Sequence, residues 1–86
     1  MQVEIYTKDK CPYCFRAKTA LTNKGIPYTE QKLGVDFTRE MLLEKYSLAK
    51  TYPVIVVDGF FIGGYDELTT LLEEEQTNQK LLNEGD

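Results

Sequence analysis

The hydrophobic pattern changes period once between residues 2 and 25, and this change constrains the fold more than any other feature of the chain. Val3-Glu4-Ile5-Tyr6 alternates apolar and polar residues at the two-residue period of a strand. Cys14, Ala17, Lys18 and Leu21 then recur at helical spacing until Asn23-Lys24-Gly25 closes the run, glycine being the residue that most readily takes the left-handed backbone past a helix end. The pattern predicts a strand over 2–6, a loop over 7–10 and a helix over 12–24. Residues 28–33 alternate again, weakly, as a second strand. A helical connection of about a dozen residues between two strands makes a parallel crossover unit.

The remaining elements follow from local chemistry. Gly34-Val35-Asp36 reads as a loop, and Asp36 or Thr38 can cap a helix running through Tyr46, with Phe37, Met41 and Tyr46 at near-helical spacing. Thr51-Tyr52-Pro53 leads into Val54-Ile55-Val56-Val57, whose unbroken apolar character predicts a strand buried on both faces. Asp58-Gly59 is a two-residue hairpin signal, so Phe60-Phe61-Ile62 returns antiparallel. Gly63-Gly64 breaks that strand, and Asp66 can cap a last helix through Leu68, Leu71 and Leu72. The predicted order is β-α-β-α-β-β-α: an α/β, thioredoxin-like arrangement with a four-stranded mixed sheet flanked by three helices. At 86 residues the chain is expected to form a single domain, 1–86. Its acidic tail, residues 76–86, is left open between a longer helix, a short extra one and a frayed end.

Only two cysteines occur, in Cys11-Pro12-Tyr13-Cys14, where the first strand hands over to the first helix. Pro12 suits the first helical position, where its missing N–H is not needed. That leaves Cys11 at the cap, exposed, and Cys14 inside the first turn. Two thiols within one turn can close a small disulfide ring without unfolding anything. The unpaired amides and positive dipole end of the helix, with Lys8 and Lys10 nearby, favour the thiolate at Cys11. Cys11 is therefore the expected nucleophile and Cys14 the resolving thiol. A structural zinc site would want four ligands, and the chain has no histidine and no third cysteine, so no metal is expected. Two inert buried cysteines fit poorly with a proline between them at a helix start.

Net charge is −4 with a pI of about 4.8, which argues against nucleic-acid binding through a basic surface. No stretch approaches the ~20 apolar residues of a membrane span, and the sequence opens on a strand rather than on a basic-then-apolar leader. A cytoplasmic protein is expected, in which a cysteine pair is more often catalytic than structural.

From residue 2 to about residue 72 the chain resembles a dithiol glutaredoxin. Cys11-Pro12-Tyr13-Cys14 looks like that family's active site, Thr51-Tyr52-Pro53 like its Thr-Val-Pro loop, and Gly63-Gly64-Tyr65-Asp66 like its Gly-Gly-x-Asp motif. The resemblance implies glutathione as co-substrate and no metal. It also implies a cis Pro53 beside the cysteine pair, with the backbone of Tyr52 pairing with the cysteinyl part of glutathione. Gly64 would then admit a close backbone approach, and the N–H groups of Tyr65 and Asp66, with the Asp66 carboxylate, would hold the γ-glutamyl end. Lys8 and Lys50, with Arg39 as a further candidate, occupy positions for basic residues facing the glycine carboxylate, and Tyr13 lines the groove. Tyr52 stands where valine is commoner and Val54 where a polar residue is frequent, which predicts a bulkier, more apolar rim.

The implied activity is reduction of protein disulfides and glutathione mixed disulfides by a monomer, with ribonucleotide reductase as a client by resemblance alone. Two other readings compete. A thioredoxin recharged by a flavoprotein reductase would be expected to carry Trp-Cys-Gly-Pro-Cys, which is absent. A dimer holding an iron-sulfur cluster through Cys11 and glutathione is disfavoured by Pro12.

Overall fold

The computed structural model describes residues 1–73. Its elements are β1 (Val3–Thr7), α1 (Pro12–Asn23), β2 (Tyr28–Lys32), α2 (Arg39–Lys45), β3 (Val54–Val57) and β4 (Phe60–Gly63). A third helix, α3, occupies residues 65–73 of the described chain. The sheet order is β2-β1-β3-β4. β1 and β2 are parallel, as the helical crossover requires, while β1/β3 and β3/β4 are antiparallel. The predicted order and mixed four-stranded sheet are those found; the expectations for the acidic tail, residues 76–86, lie outside the described residues.

Side-chain alternation sorts the core into two halves. Val3 and Ile5 of β1 and Ile55 of β3 pack with Ala17 and Leu21 of α1 and Leu68 and Leu72 of α3. Tyr6, Val54 and Val56 point the other way and pack with Phe37, Leu42 and Ala49 around α2. β3 is therefore buried on both faces, as its apolar run predicted. β1 is too: Tyr6, read from the alternation as the polar side of the strand, is only 6% exposed. Its ring meets Phe37 edge-on at 5.1 Å. Burial, reinforced by Glu4, pushes the Tyr6 phenol up to about 12, so it stays neutral in the core.

Local chemistry sets the boundaries. Lys24 caps α1, and Gly25 takes φ +70°. Of the two proposed caps for α2, Thr38 is the one used, its hydroxyl accepting the Met41 N–H at 3.2 Å. Asp36 closes the preceding loop instead, accepting from the Lys32 N–H at 2.8 Å. In the β3–β4 hairpin Asp58 and Gly59 both have positive φ, 51° and 83°, the backbone of a twist-matched two-residue turn. A register shift follows, with Ile55 opposite Gly63 and Val56 opposite Phe61. Asp66 does not cap α3, as had been expected. The helix begins at residue 65, the Gly64 carbonyl accepts the Leu68 N–H at 3.0 Å, and the Gly64 N–H donates to Glu67 Oε1 at 2.7 Å. Glu67 thus reaches back to the cap from the third helical position.

The end of β1, from which the cysteine loop departs, is tied to β2 and α1 by one polar cluster. The buried Thr7 hydroxyl donates to Glu30 Oε2 at 2.7 Å, and the same oxygen faces Lys18 Nζ at 3.2 Å. The Thr7 hydroxyl, aided by Lys18, holds the Glu30 carboxyl below its ordinary value against a smaller opposing effect of desolvation. A carboxyl depressed in the folded state stabilises the fold above its unfolded pKa of 4.5, and the contribution is lost as pH falls through the lower folded value. The stability advantage of the wild type over Glu30→Gln, read from urea midpoints, is expected to be largest at pH 7 and to shrink as the pH is lowered to about 3. A constant difference across that range would refute this linkage.

Candidate active site

The cysteine pair sits where the β1–α1 handover predicted it. Cys11 is the N-cap of α1 with extended backbone, and Pro12 occupies the first helical position. The Cys11 carbonyl accepts the Phe15 N–H at 3.2 Å, and its Sγ accepts the Cys14 N–H at 3.2 Å. A free helix-end amide is therefore already aimed at the sulfur that would carry a thiolate charge. The two sulfurs are joined in a disulfide with Cα atoms 5.2 Å apart. Cys14 is 3% exposed, whereas Cys11 is only partly covered. The asymmetry between an accessible and a sheltered sulfur is thus built into the cap.

Beside the pair runs a groove of about 330 Å³ lined by Tyr13, Thr51, Tyr52, Pro53, Gly64, Tyr65, Asp66 and Glu67. Seven of these eight belong to the site anticipated from sequence, brought together from three separate stretches. The Tyr52-Pro53 bond is cis, as the resemblance implied, and Pro53 is fully buried. A Cβ on Gly64 would lie 3.4 Å from the Pro53 carbonyl oxygen, a van der Waals contact that shows the two loops packed side by side. Gly63 has φ +140°, and a Cβ there would stand 2.6 Å from Glu67 side-chain atoms. Gly63 therefore answers a local steric and conformational demand.

Two cations stand against aromatic residues of the walls. Tyr13, 52% exposed, has its ring 5.5 Å from that of Tyr65, and the Arg16 guanidinium lies 5.3 Å from the Tyr13 ring. The Lys8 ammonium stands 5.7 Å from the Tyr52 ring. Lys8, Lys50 and Arg39, all anticipated at the site, are exposed and are not among the residues that line the groove; of the three, Lys8 is the one that stands against a lining residue, Tyr52. A larger concavity, about 500 Å³, lies at the start of β1 and β2 between Met1–Glu4 and Pro27–Thr29, at the far end of β1 from the thiols. No cysteine lies along it, so the thiol chemistry belongs to the smaller groove beside Cys11 and Cys14.

The family model for glutaredoxin matches residues 3–62. Glutaredoxin 3 of Escherichia coli strain K12 is 42% identical over 69 residues, 80% of this chain and 83% of that protein. This chain belongs to the glutaredoxin family. Two solved structures extend the likeness to three dimensions. Reduced Escherichia coli glutaredoxin superposes with a TM-score of 0.70 at 32% identity, covering 90% of this chain and 99% of the other. A buckwheat glutaredoxin–glutathione complex superposes with a TM-score of 0.68 at 25% identity, covering 94% and 73%. With its redox-active cysteine pair, a glutaredoxin of this kind is a thiol-disulfide oxidoreductase.

Within this glutaredoxin, Glu67 and Arg16 were not anticipated. A glutamate three residues after Gly64, the spacing at which a third-position carboxylate reaches the cap N–H, was present in the sequence and would have found the first. The three-residue step from Tyr13 on a helix would have found the second. Tyr52 lines the groove, and its ring also turns towards Phe37, 6.4 Å away, and packs on the α2-side core. Its hydroxyl is buried there without a hydrogen-bond partner. A buried orphan hydroxyl carries an unrepaid desolvation cost. Tyr52→Phe is accordingly expected to raise stability by about 1 kcal/mol in urea unfolding; a loss of that size would show that the hydroxyl is satisfied in solution.

Proposed function

We propose that this glutaredoxin is a glutathione-dependent reductase of protein disulfides and glutathione mixed disulfides. The observation that carries the reading is the groove itself. An accessible sulfur at a helix cap opens beside a cleft that has a cis-proline loop on one wall and the N-terminus of α3 on another. A tripeptide running past Cys11 could pair its main chain with the Tyr52 backbone and set its γ-glutamyl carboxylate on the Tyr65 and Asp66 N–H groups. Asp66 and Glu67 supply negative charge for the adjoining ammonium, and Lys8 supplies positive charge for the glycine carboxylate at the other end. The glutathione bound by the buckwheat relative supports this assignment.

In the proposed cycle the Cys11 thiolate attacks the glutathione sulfur of a mixed disulfide, and the client leaves as a thiolate that takes a proton from water. A second glutathione thiolate then attacks the glutathione sulfur of the Cys11 adduct, releasing glutathione disulfide and regenerating the Cys11 thiolate. With a protein disulfide, Cys11 forms the mixed disulfide and Cys14 attacks Cys11 Sγ. This expels the reduced client and leaves the Cys11–Cys14 bond found here. Two glutathiones return that bond to the dithiol, the enzyme gaining two electrons as one glutathione disulfide forms. In this reading the chain acts as a cytoplasmic monomer, with ribonucleotide reductase as a candidate client.

Turnover of the glutathione–2-mercaptoethanol mixed disulfide, which glutathione forms by exchange with 2-hydroxyethyl disulfide with release of 2-mercaptoethanol, coupled to glutathione reductase, tests the reading. Saturable glutathione-dependent turnover is expected. Inactivity there, combined with reduction of a protein disulfide by electrons from a thioredoxin reductase, would overturn the glutathione dependence and leave the oxidoreductase assignment standing.

A further inference from the structure

Lys8 and Tyr52 lie far apart in sequence and meet beside the groove, which Tyr52 lines. The Lys8 side chain is exposed and makes no ion pair among the described residues. A free lysine of this kind samples many rotamers, and fixing it on an anion costs entropy. Here its ammonium is instead held 5.7 Å from the centre of the Tyr52 ring, within the range of cation–π attraction. The ring is itself immobilised: it packs 6.4 Å from Phe37, abuts the α2-side core, and has its hydroxyl buried. Its backbone meanwhile forms the groove wall next to the cis Pro53. One residue therefore shapes the wall with its main chain and tethers a cation with its side chain.

We propose that Tyr52 is a positioning residue that acts through Lys8: its ring is a rigid π platform that holds the Lys8 ammonium beside the groove, within a side chain's reach of the carboxylate at the glycine end of glutathione. The inference rests on the glutathione reading above and adds to it a specific role for this side chain. Valine, the commoner residue before the proline, has no π-face and could not serve in this way. The platform lowers the entropy lost when Lys8 engages the carboxylate, so it strengthens binding of glutathione without touching the sulfur chemistry. Its effect belongs in KM rather than in kcat.

The experiment is a double-mutant cycle on KM for glutathione. Tyr52→Leu is expected to raise KM about two- to five-fold, the worth of an exposed cation–π contact, with little change in kcat. Tyr52→Phe, which keeps the ring, keeps the wild-type KM. In a Lys8→Gln background, where KM is already raised, Tyr52→Leu adds nothing further. Equal effects of Tyr52→Leu in both backgrounds, a Phe variant as impaired as Leu, or a loss confined to kcat would each overturn the platform. A readout free of catalysis accompanies the cycle: the Lys8 side-chain methylene protons should show a ring-current upfield shift by NMR that Tyr52→Leu abolishes and Tyr52→Phe preserves. Absence of that shift in the wild type sinks the platform. Absence of glutathione-dependent turnover in a wild type that does show it sinks the glutathione reading instead.

Discussion

Cys11→Ser is expected to reduce turnover of both glutathione mixed disulfides and protein disulfides to the rate without enzyme, while Cys14→Ser loses only the second activity. The difference follows from the cap. Cys11 is accessible, takes the Cys14 N–H on its sulfur, and stands at the positive end of α1. A serine there offers no thiolate and cannot form the mixed disulfide. Cys14, 3% exposed, is out of reach of an incoming client and close only to Cys11. Its task is to displace a protein already bound to Cys11, which a glutathione mixed disulfide does not require, since a second glutathione can do it. The two variants assayed against 2-hydroxyethyl disulfide and against an intramolecular protein disulfide separate the roles. Retention of either activity by Cys11→Ser would reverse the assignment, and loss of deglutathionylation in Cys14→Ser would give Cys14 more than a resolving role.

The second large effect concerns the scaffold that holds this cap. Ile55 is fully buried in β3, opposite Ile5 of β1 on one side and Gly63 of β4 on the other. It joins α1 and α3 through the cluster containing Ala17, Leu21, Leu68 and Leu72. Ile55→Ala removes three carbons at a point where both neighbouring strands are held by their own pairing, so little collapse can fill the space. A loss of about 2–5 kcal/mol is expected, a large part of the 5–15 kcal/mol typical of a domain. For a chain of this size each kcal/mol lowers Tm by about 4–8 °C. Phe60→Ala, at a side chain 74% exposed, should change stability by no more than about 0.5 kcal/mol. Urea and thermal unfolding of the two variants would decide, and equal effects would contradict the described core.

Much of the fold was readable before any coordinates because its cues are local. The change of hydrophobic period around Cys11, the Asp58-Gly59 turn and the unbroken Val54–Val57 run each act within a few residues. Local rules failed where a second element intervenes. Tyr6 looked like the outward side of an alternating strand, yet α2 covers that face and makes its ring part of the core. Asp66 looked like a cap, yet the chain enters α3 two residues earlier and Glu67 reaches back to Gly64. Asp36 and Thr38 were equivalent by propensity, and the loop closed through the Lys32 N–H separated them.

The sequence by itself determined the element order, the cap at Cys11, the thiol spacing and the three motifs that form the groove, since each depends on backbone preferences within one or two turns. Strand order, the joining of Tyr13, Thr51–Pro53 and Gly64–Glu67 into one cleft, and the meeting of Lys8 with Tyr52 were decided only by tertiary structure. These contacts bridge tens of residues. They exist because burying both faces of β1 and β3 leaves one arrangement of helices around the sheet, and no pattern confined to a short window records which distant side chains that arrangement brings together.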